Sequence, residues 1–203
     1  GVIVQEFARA GGEFPIVFIK DPKEDRFFPI VMLGLEQNTN LFVSEDNKWD
    51  AGYMPARYTH KPFSVIPNKE DENRFGIAID AASKLISDDG QALFSEDGKE
   101  TEYFEARKNA LMGYIENEKM TTVFVDTLTE LDLIQPKNLN VKVKDKEFNL
   151  NGLFMVDEKK LNELSDEKFL ELRKRGFLGP IYSHLVSVNQ VNRLLERKAK
   201  TMA

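Results

Sequence analysis

Hydrophobic and polar positions change their rhythm about halfway along the chain. Between residues 14 and 80 the apolar positions come in short, β-branched-rich runs. Phe14-Pro15-Ile16-Val17-Phe18-Ile19 and Pro29-Ile30-Val31-Met32-Leu33-Gly34-Leu35 flank the polar turn Asp21-Pro22-Lys23-Glu24-Asp25, the pattern of two paired strands. Leu41-Phe42-Val43, the polar tip Ser44-Glu45-Asp46-Asn47-Lys48 and Trp49 predict a hairpin. Phe63-Ser64-Val65-Ile66 and Arg74-Phe75-Gly76-Ile77-Ala78-Ile79 predict another around the polar residues 68–73, since polar, turn-forming tips between apolar runs favour chain reversal. Residues 14–80 therefore predict a meandering, mainly antiparallel sheet. Residues 81–100 read as exposed loop with turns at Asp89-Gly90 and Asp97-Gly98. Inside that loop, Leu93-Phe94-Ser95-Glu96-Asp97-Gly98-Lys99 echoes Leu41-Phe42-Val43-Ser44-Glu45-Asp46-Asn47-Lys48. No period repeats elsewhere, so the echo predicts two similar hairpin tips.

The second half has a helical period. Thr101 caps a helix whose first turn carries Glu102 and Glu105, suited to the positive end of the helix dipole. Phe104, Leu111, Ile115, Val123, Phe124, Leu128 and Leu131 predict a long or once-broken helix within residues 101–135, stopped by Pro136. Leu139-Asn140-Val141-Lys142-Val143-Lys144 and Glu147-Phe148-Asn149-Leu150 alternate apolar with polar about Asp145-Lys146, predicting a hairpin within residues 139–156. Helices fill residues 157–199: Asp157 and Ser165 cap two short ones and Gly176 ends the second. Pro180 opens a last one, with Ile181, Leu185, Val188 and Leu195 on its apolar stripe.

Composition narrows the function classes. The chain has 203 residues, with 28 Lys+Arg against 34 Asp+Glu (28 − 34 = −6), and it is 41% hydrophobic. That is enough to bury a core without a disulfide or metal staple, and the acidic balance argues against nucleic acid or anionic lipid as main partner. The longest apolar run, residues 29–35, is far short of the roughly 18 residues of a membrane span. Cysteine is absent, which removes thiolate metal sites, iron–sulfur clusters and cysteine nucleophiles. Gly1-Val2-Ile3-Val4 has neither a basic leader nor a long apolar stretch. The expectation is a cytoplasmic protein, with the cell envelope or surface as the alternative if a leader precedes Gly1.

Several segments resemble a known bacterial family. Phe14-Pro15-Ile16-Val17-Phe18, Leu41-Phe42 leading to Trp49, Ala51-Gly52-Tyr53-Met54-Pro55-Ala56 and Pro62-Phe63 resemble the first half of the SapC family. Asn151-Gly152-Leu153-Phe154-Met155-Val156-Asp157-Glu158, Leu161, Leu164 and Ile181-Tyr182-Ser183-His184-Leu185-Val186-Ser187 look like its second half. The resemblance implies a proteobacterial protein whose family name comes from a surface-layer association. It brings no catalytic residues with it.

Candidate chemistry is sparse. There is no Gly-x-Ser-x-Gly elbow and no phosphate-binding or dinucleotide glycine pattern. His60 and His184, the two histidines, lie 124 positions apart without a carboxylate at ligand spacing, so no metal or other cofactor is expected. The densest group is aromatic. Trp49, Tyr53, Arg57, Tyr58 and His60 combine flat amphipathic rings with fixed donors, as a small-molecule, sugar or peptide ligand would need. The competing reading makes Trp49 and Phe63 core anchors. Arg193, Arg197, Lys198 and Lys200 form a basic tail that could dock a protein partner or a second copy, or simply be solvated.

Together these features predict one α+β domain over residues 1–203, with a strand-rich front half covered by helices from the back half. The leading functional reading is a non-catalytic binding or accessory protein beside an envelope or nutrient-uptake system. The alternatives are an enzyme with a pocket around His184, assisted by Asp157 or Tyr182, and a structural surface-layer subunit.

Overall fold

The computed structural model describes residues 1–67 and 75–202; the polar tip predicted at residues 68–73 lies outside them. The chain gathers into two compact units, residues 1–55 with 120–203 and residues 56–119.

The first unit is built on a four-stranded antiparallel sheet. A 3-10 turn, Val4–Glu6, and α1 (Phe7–Ala10) lead into β1 (Ile16–Asp21) and β2 (Arg26–Val31), paired from Ile16 with Val31 to Asp21 with Arg26. Both strands lie later or earlier than the apolar runs suggested, because the turn sets the register. The Asp21 carboxylate accepts the Lys23 N–H at 2.7 Å, and Asp25 takes φ +53°, a local geometry that Asp tolerates.

The second unit begins with α2 (Ala56–Thr59), followed by β3 (Phe63–Pro67) and β4 (Phe75–Ile79), which pair antiparallel from Phe63 with Ile79. Residues 81–100 carry no regular element beyond the isolated bridge Phe94–Glu100. Helix α3 (Glu102–Glu130) contributes residues to both units. Thr101 caps it as predicted, its Oγ1 accepting the Phe104 N–H at 3.3 Å. The buried core of the second unit is small: Phe63, Phe104 and Leu111, with Val65, Ile77, Leu93 and Tyr103 packed around it.

The chain then completes the first unit with β5 (Ile134–Val143) and β6 (Lys146–Val156), giving the sheet order β2-β1-β6-β5. Helices α4 (Glu158–Asn162), α5 (Asp166–Lys174), α6 (Leu178–Ser187) and α7 (Val191–Thr201) follow, with a 3-10 turn, Val188–Gln190, dividing the predicted last helix in two. Three expectations need correction. Pro136 does not stop α3; it lies inside β5, and like Pro29 in β2 it sits on an edge strand, where a missing N–H costs least. The helix ends earlier, where the Leu133 N–H donates to the Leu128 carbonyl and the Asp132 N–H to Thr129, both at 2.9 Å, with Asp132 at φ +54°. Val123 is exposed on α3, whereas Phe124 and Leu128 of the expected stripe are buried, joined by Thr121 and Val125.

The core of the first unit contains Phe7, Phe14, Phe18, Phe42, Phe124, Leu128, Leu161, Leu172, Ile181 and Leu194, all fully buried. The basic tail of α7 folds back over this core. Arg193 pairs with Glu13, Lys198 with Glu36, and Arg197 donates to the carbonyls of Leu41 and Asp50 while its guanidinium lies 4.3 Å from the Phe42 ring centre.

Candidate functional site

Two short stretches and one helix face converge in the second unit. Beyond Pro55 the chain makes the single turn of α2, where the His60 N–H donates to the Ala56 carbonyl and the Lys61 N–H to Tyr58, each at 3.2 Å. This turn presents Arg57, His60 and Lys61 along one wall. Leu111, Tyr114, Ile115 and Glu118 of α3 form the facing wall. Their spacing of i, i+3, i+4 and i+7 puts all four on one helix face. Phe63 and Val65 of β3, which point to the same side of the strand because side chains alternate, contribute the floor with Phe75 of β4.

The resulting groove has a volume of about 470 Å³, within the usual range for a small-molecule site. It is anchored at floor and wall, since Phe63 and Leu111 are buried core residues and Phe63 stacks on Phe104 at 6.2 Å. The His60 and Tyr114 rings, which both line it, pack edge to face at 5.0 Å, an arrangement aromatic pairs favour. Arg57, Lys61 and Glu118 are exposed. Among the described residues, neither Arg57 nor Lys61 forms an ion pair. An apolar floor with charged groups at the rim suits a molecule with an oily body and a polar end.

The aromatic group predicted for a ligand is divided between the two units. Arg57 and His60 line the groove, while Tyr58, beside them in sequence, is 52% exposed and does not line it. Trp49 and Tyr53 belong to the first unit. There the Trp49 ring packs on Phe14 and Phe42, its Nε1 donates to the Tyr53 carbonyl at 2.9 Å, and the Tyr53 hydroxyl donates to the Glu6 carboxylate. Lys61, Tyr114 and Glu118 are not among the residues the sequence points to, and Phe75, Leu111 and Ile115 are legible there only as strand and helix positions. The i, i+3, i+4 and i+7 spacing of the four α3 residues marks a shared face without saying what lies opposite.

His184 occupies a different kind of position. Phe18 pairs with Phe154 in the β1–β6 ladder, so Ile16 and Val156 fall in register two residues on. The imidazole stands between them: Nε2 accepts the Val156 N–H at 3.0 Å and Nδ1 lies 3.0 Å from the Ile16 carbonyl. That pattern requires a neutral ring with its proton on Nδ1. The ring thus replaces a direct strand-to-strand hydrogen bond. Ser187 completes the join, accepting the Ile16 N–H at 2.9 Å and donating to the His184 carbonyl at 2.6 Å. His184 is fully buried, and burial pushes its pKa down from 6.5 to about 4 against the opposing hydrogen bond to Ile16. Tyr182, two residues away on α6, is 42% exposed, and the Asp157 carboxylate caps α4 by accepting the N–H groups of Lys159 and Lys160.

Among the described residues no cluster of three or more His, Asp or Glu side chains is arranged to hold a metal ion, and no helix is long and apolar enough to cross a membrane. No curated protein and no solved structure matches the chain. The SapC family model, by contrast, matches residues 1–194. With nearly the whole length covered, from the 3-10 turn ahead of β1 into α7, the chain belongs to the SapC family.

Proposed function

We propose that this SapC protein is a non-catalytic binding protein whose second unit holds a small molecule with an apolar body. The observation that carries the reading is the groove between α2, β3 and α3, where a floor of apolar strand side chains is left open between a polar turn and a largely apolar helix face. Support also comes from His184. A histidine with both ring nitrogens engaged by main-chain groups, deep in the core, has no nitrogen left to exchange a proton with a substrate. The accessory role beside an envelope or uptake system follows from the family resemblance and completes the proposal.

A compound-library thermal-shift screen of the full chain tests it, because a ligand bound only by the folded state stabilises in proportion to the logarithm of its concentration. Hits are expected to lose their effect in Ile115→Trp, which fills the groove from a half-buried position on α3. Hits that stabilise the wild type and this variant equally would overturn the groove as the binding site.

A further inference from the structure

We infer that the groove of the second unit selects a small monocarboxylate, with the carboxylate at the Arg57/Lys61 rim and an aromatic or aliphatic body on the Phe63 and Val65 floor against Leu111. The inference deepens the binding reading above and rests on it. Residues 56–119 carry 9 Lys+Arg and 13 Asp+Glu, a balance of 9 − 13 = −4. In so acidic a unit, cations are readily taken up by neighbours. Lys99 pairs with Asp97 at 2.6 Å and Lys108 with Glu100. Arg107 lies over the Phe63 and Tyr103 rings at 5.9 and 5.5 Å, and Lys119 over Phe75 at 5.9 Å. Among the described residues Arg57 and Lys61 have no such neighbour, and both line the same groove. Two like charges held at one rim repel each other, and an anion placed between them relieves that repulsion while gaining charge-assisted hydrogen bonds.

The opposite wall sets a second condition. Among the described residues that line the groove Glu118 is the one acidic one, and it comes from α3, whereas the cations come from α2 and the residues just after it. A molecule with a carboxylate at each end would bring its second charge toward Glu118. The site is therefore complementary to one negative charge with an uncharged tail, and it discriminates against dianions by repulsion as much as it favours monoanions by attraction.

The test uses the full chain and four probes of one shape: naphthalene-2-carboxylate, naphthalene-2-carboxamide, naphthalene-2,6-dicarboxylate and 2-naphthylmethylammonium. Affinities are read by calorimetric titration, and the site by amide chemical shifts of residues 57–65 and 111–118. The monocarboxylate is expected to bind at least about ten-fold more tightly than the amide, with the advantage shrinking as salt is added. Arg57→Gln with Lys61→Gln should erase the advantage, bringing the carboxylate-to-amide affinity ratio to about one. Glu118→Gln, an exposed single change that keeps the test available if the double variant misfolds, should raise dicarboxylate affinity toward that of the monocarboxylate. Equal affinity for carboxylate and amide, or preference for the ammonium probe, overturns the anion inference and leaves the apolar binding reading standing. Binding of the carboxylate that shifts amides only in the first unit overturns the anion inference as well. If none of the four binds at millimolar concentration, both readings fall together.

Discussion

One turn is built twice in this molecule, and its two copies rest on different foundations. In each unit a serine N–H donates to a lysine carbonyl four residues on, Ser44 to Lys48 at 2.9 Å and Ser95 to Lys99 at 2.8 Å. In each, the corner residue donates back to that serine's carbonyl at 2.9 Å, from Asn47 and from Gly98, and takes a positive φ, +58° and +78°. Isolated bridges join Val43 to Trp49 and Phe94 to Glu100, and a further bond closes each base, Asp50 to Phe42 and Thr101 to Leu93. The sequence echo is thus a true conformational repeat. Below the turns the likeness ends. Phe42 is fully buried on Phe14 and Trp49 under the Arg197 guanidinium, whereas its counterpart Leu93 is only partly buried and Phe94 is 53% exposed beside Phe104. A few polar residues suffice to shape a turn; what the turn stands on depends on chain far away. The first unit has a deep aromatic core under its turn, and the second has a shallow one that leaves room for a groove.

The largest expected difference between the copies is in their apolar bases. Phe42→Ala should destabilise the first unit by about 3–5 kcal/mol, the usual cost of deleting a buried phenyl ring. Phe94→Ala should cost under about 1 kcal/mol, since an exposed ring loses little. Urea denaturation of the two variants measures both; equal losses would mean the two turns share one kind of foundation after all.

Acid should probe the deeper foundation next. Folded His184 takes up its proton only near pH 4, whereas the unfolded chain does so near 6.5. Between those values the unfolded state holds more protons, so the stability tied to the neutral ring is complete above pH 6.5 and falls on acidification toward 4. The shift corresponds to about 3 kcal/mol. Glu36 works in a lower window. Hydrogen bonds from Lys146, then Lys198, hold its pKa down from 4.5 to about 2, so its contribution is present above pH 4.5 and is lost as pH falls through about 2. Denaturation midpoints at pH 7, 6, 5 and 4 should decline for the wild type and decline less for His184→Gln. A flat wild-type profile over that range would refute the buried neutral bridge between β1 and β6.

The smallest effect expected is at the two corners. Exchanging them, Asn47→Gly and Gly98→Asn, should change stability by no more than about 0.5 kcal/mol, because both residues accept a left-handed backbone. Gly98→Ala should cost about 1 kcal/mol from backbone conformation alone, since a Cβ there would meet nothing within 4 Å. Thermal melting of the exchanged and alanine variants decides whether the two corners are equivalent.

Legibility in the sequence follows the same division. Asp157, Ser165 and Thr101 were readable as caps because each satisfies N–H groups only two or three residues away. Gly176 was readable as a helix end, and the Phe177 N–H indeed returns to the Leu172 carbonyl at 2.9 Å. The same closing motif after α3 went unread because Asp132 stands where Gly176 does, and an aspartate gives no comparable signal. Pro136 misled for a related reason: a proline rules out a paired N–H, but an edge strand does not need that N–H to pair. The groove was half visible. Arg57 and His60 stood out as donors among rings, whereas their facing wall comes from residues about fifty positions later whose spacing serves a core face equally well.

By itself the sequence determined the turns, the caps, the alternation of strand and helix, and the absence of cysteine chemistry, since each depends on hydrogen bonds or side-chain types within a few residues. Tertiary structure decided which rings are buried, that His184 joins two strands, and that Arg57 and Lys61 face a helix across an open floor. Burial and charge complementarity depend on groups brought together from distant parts of the chain, and their energies exist only once that approach has been made.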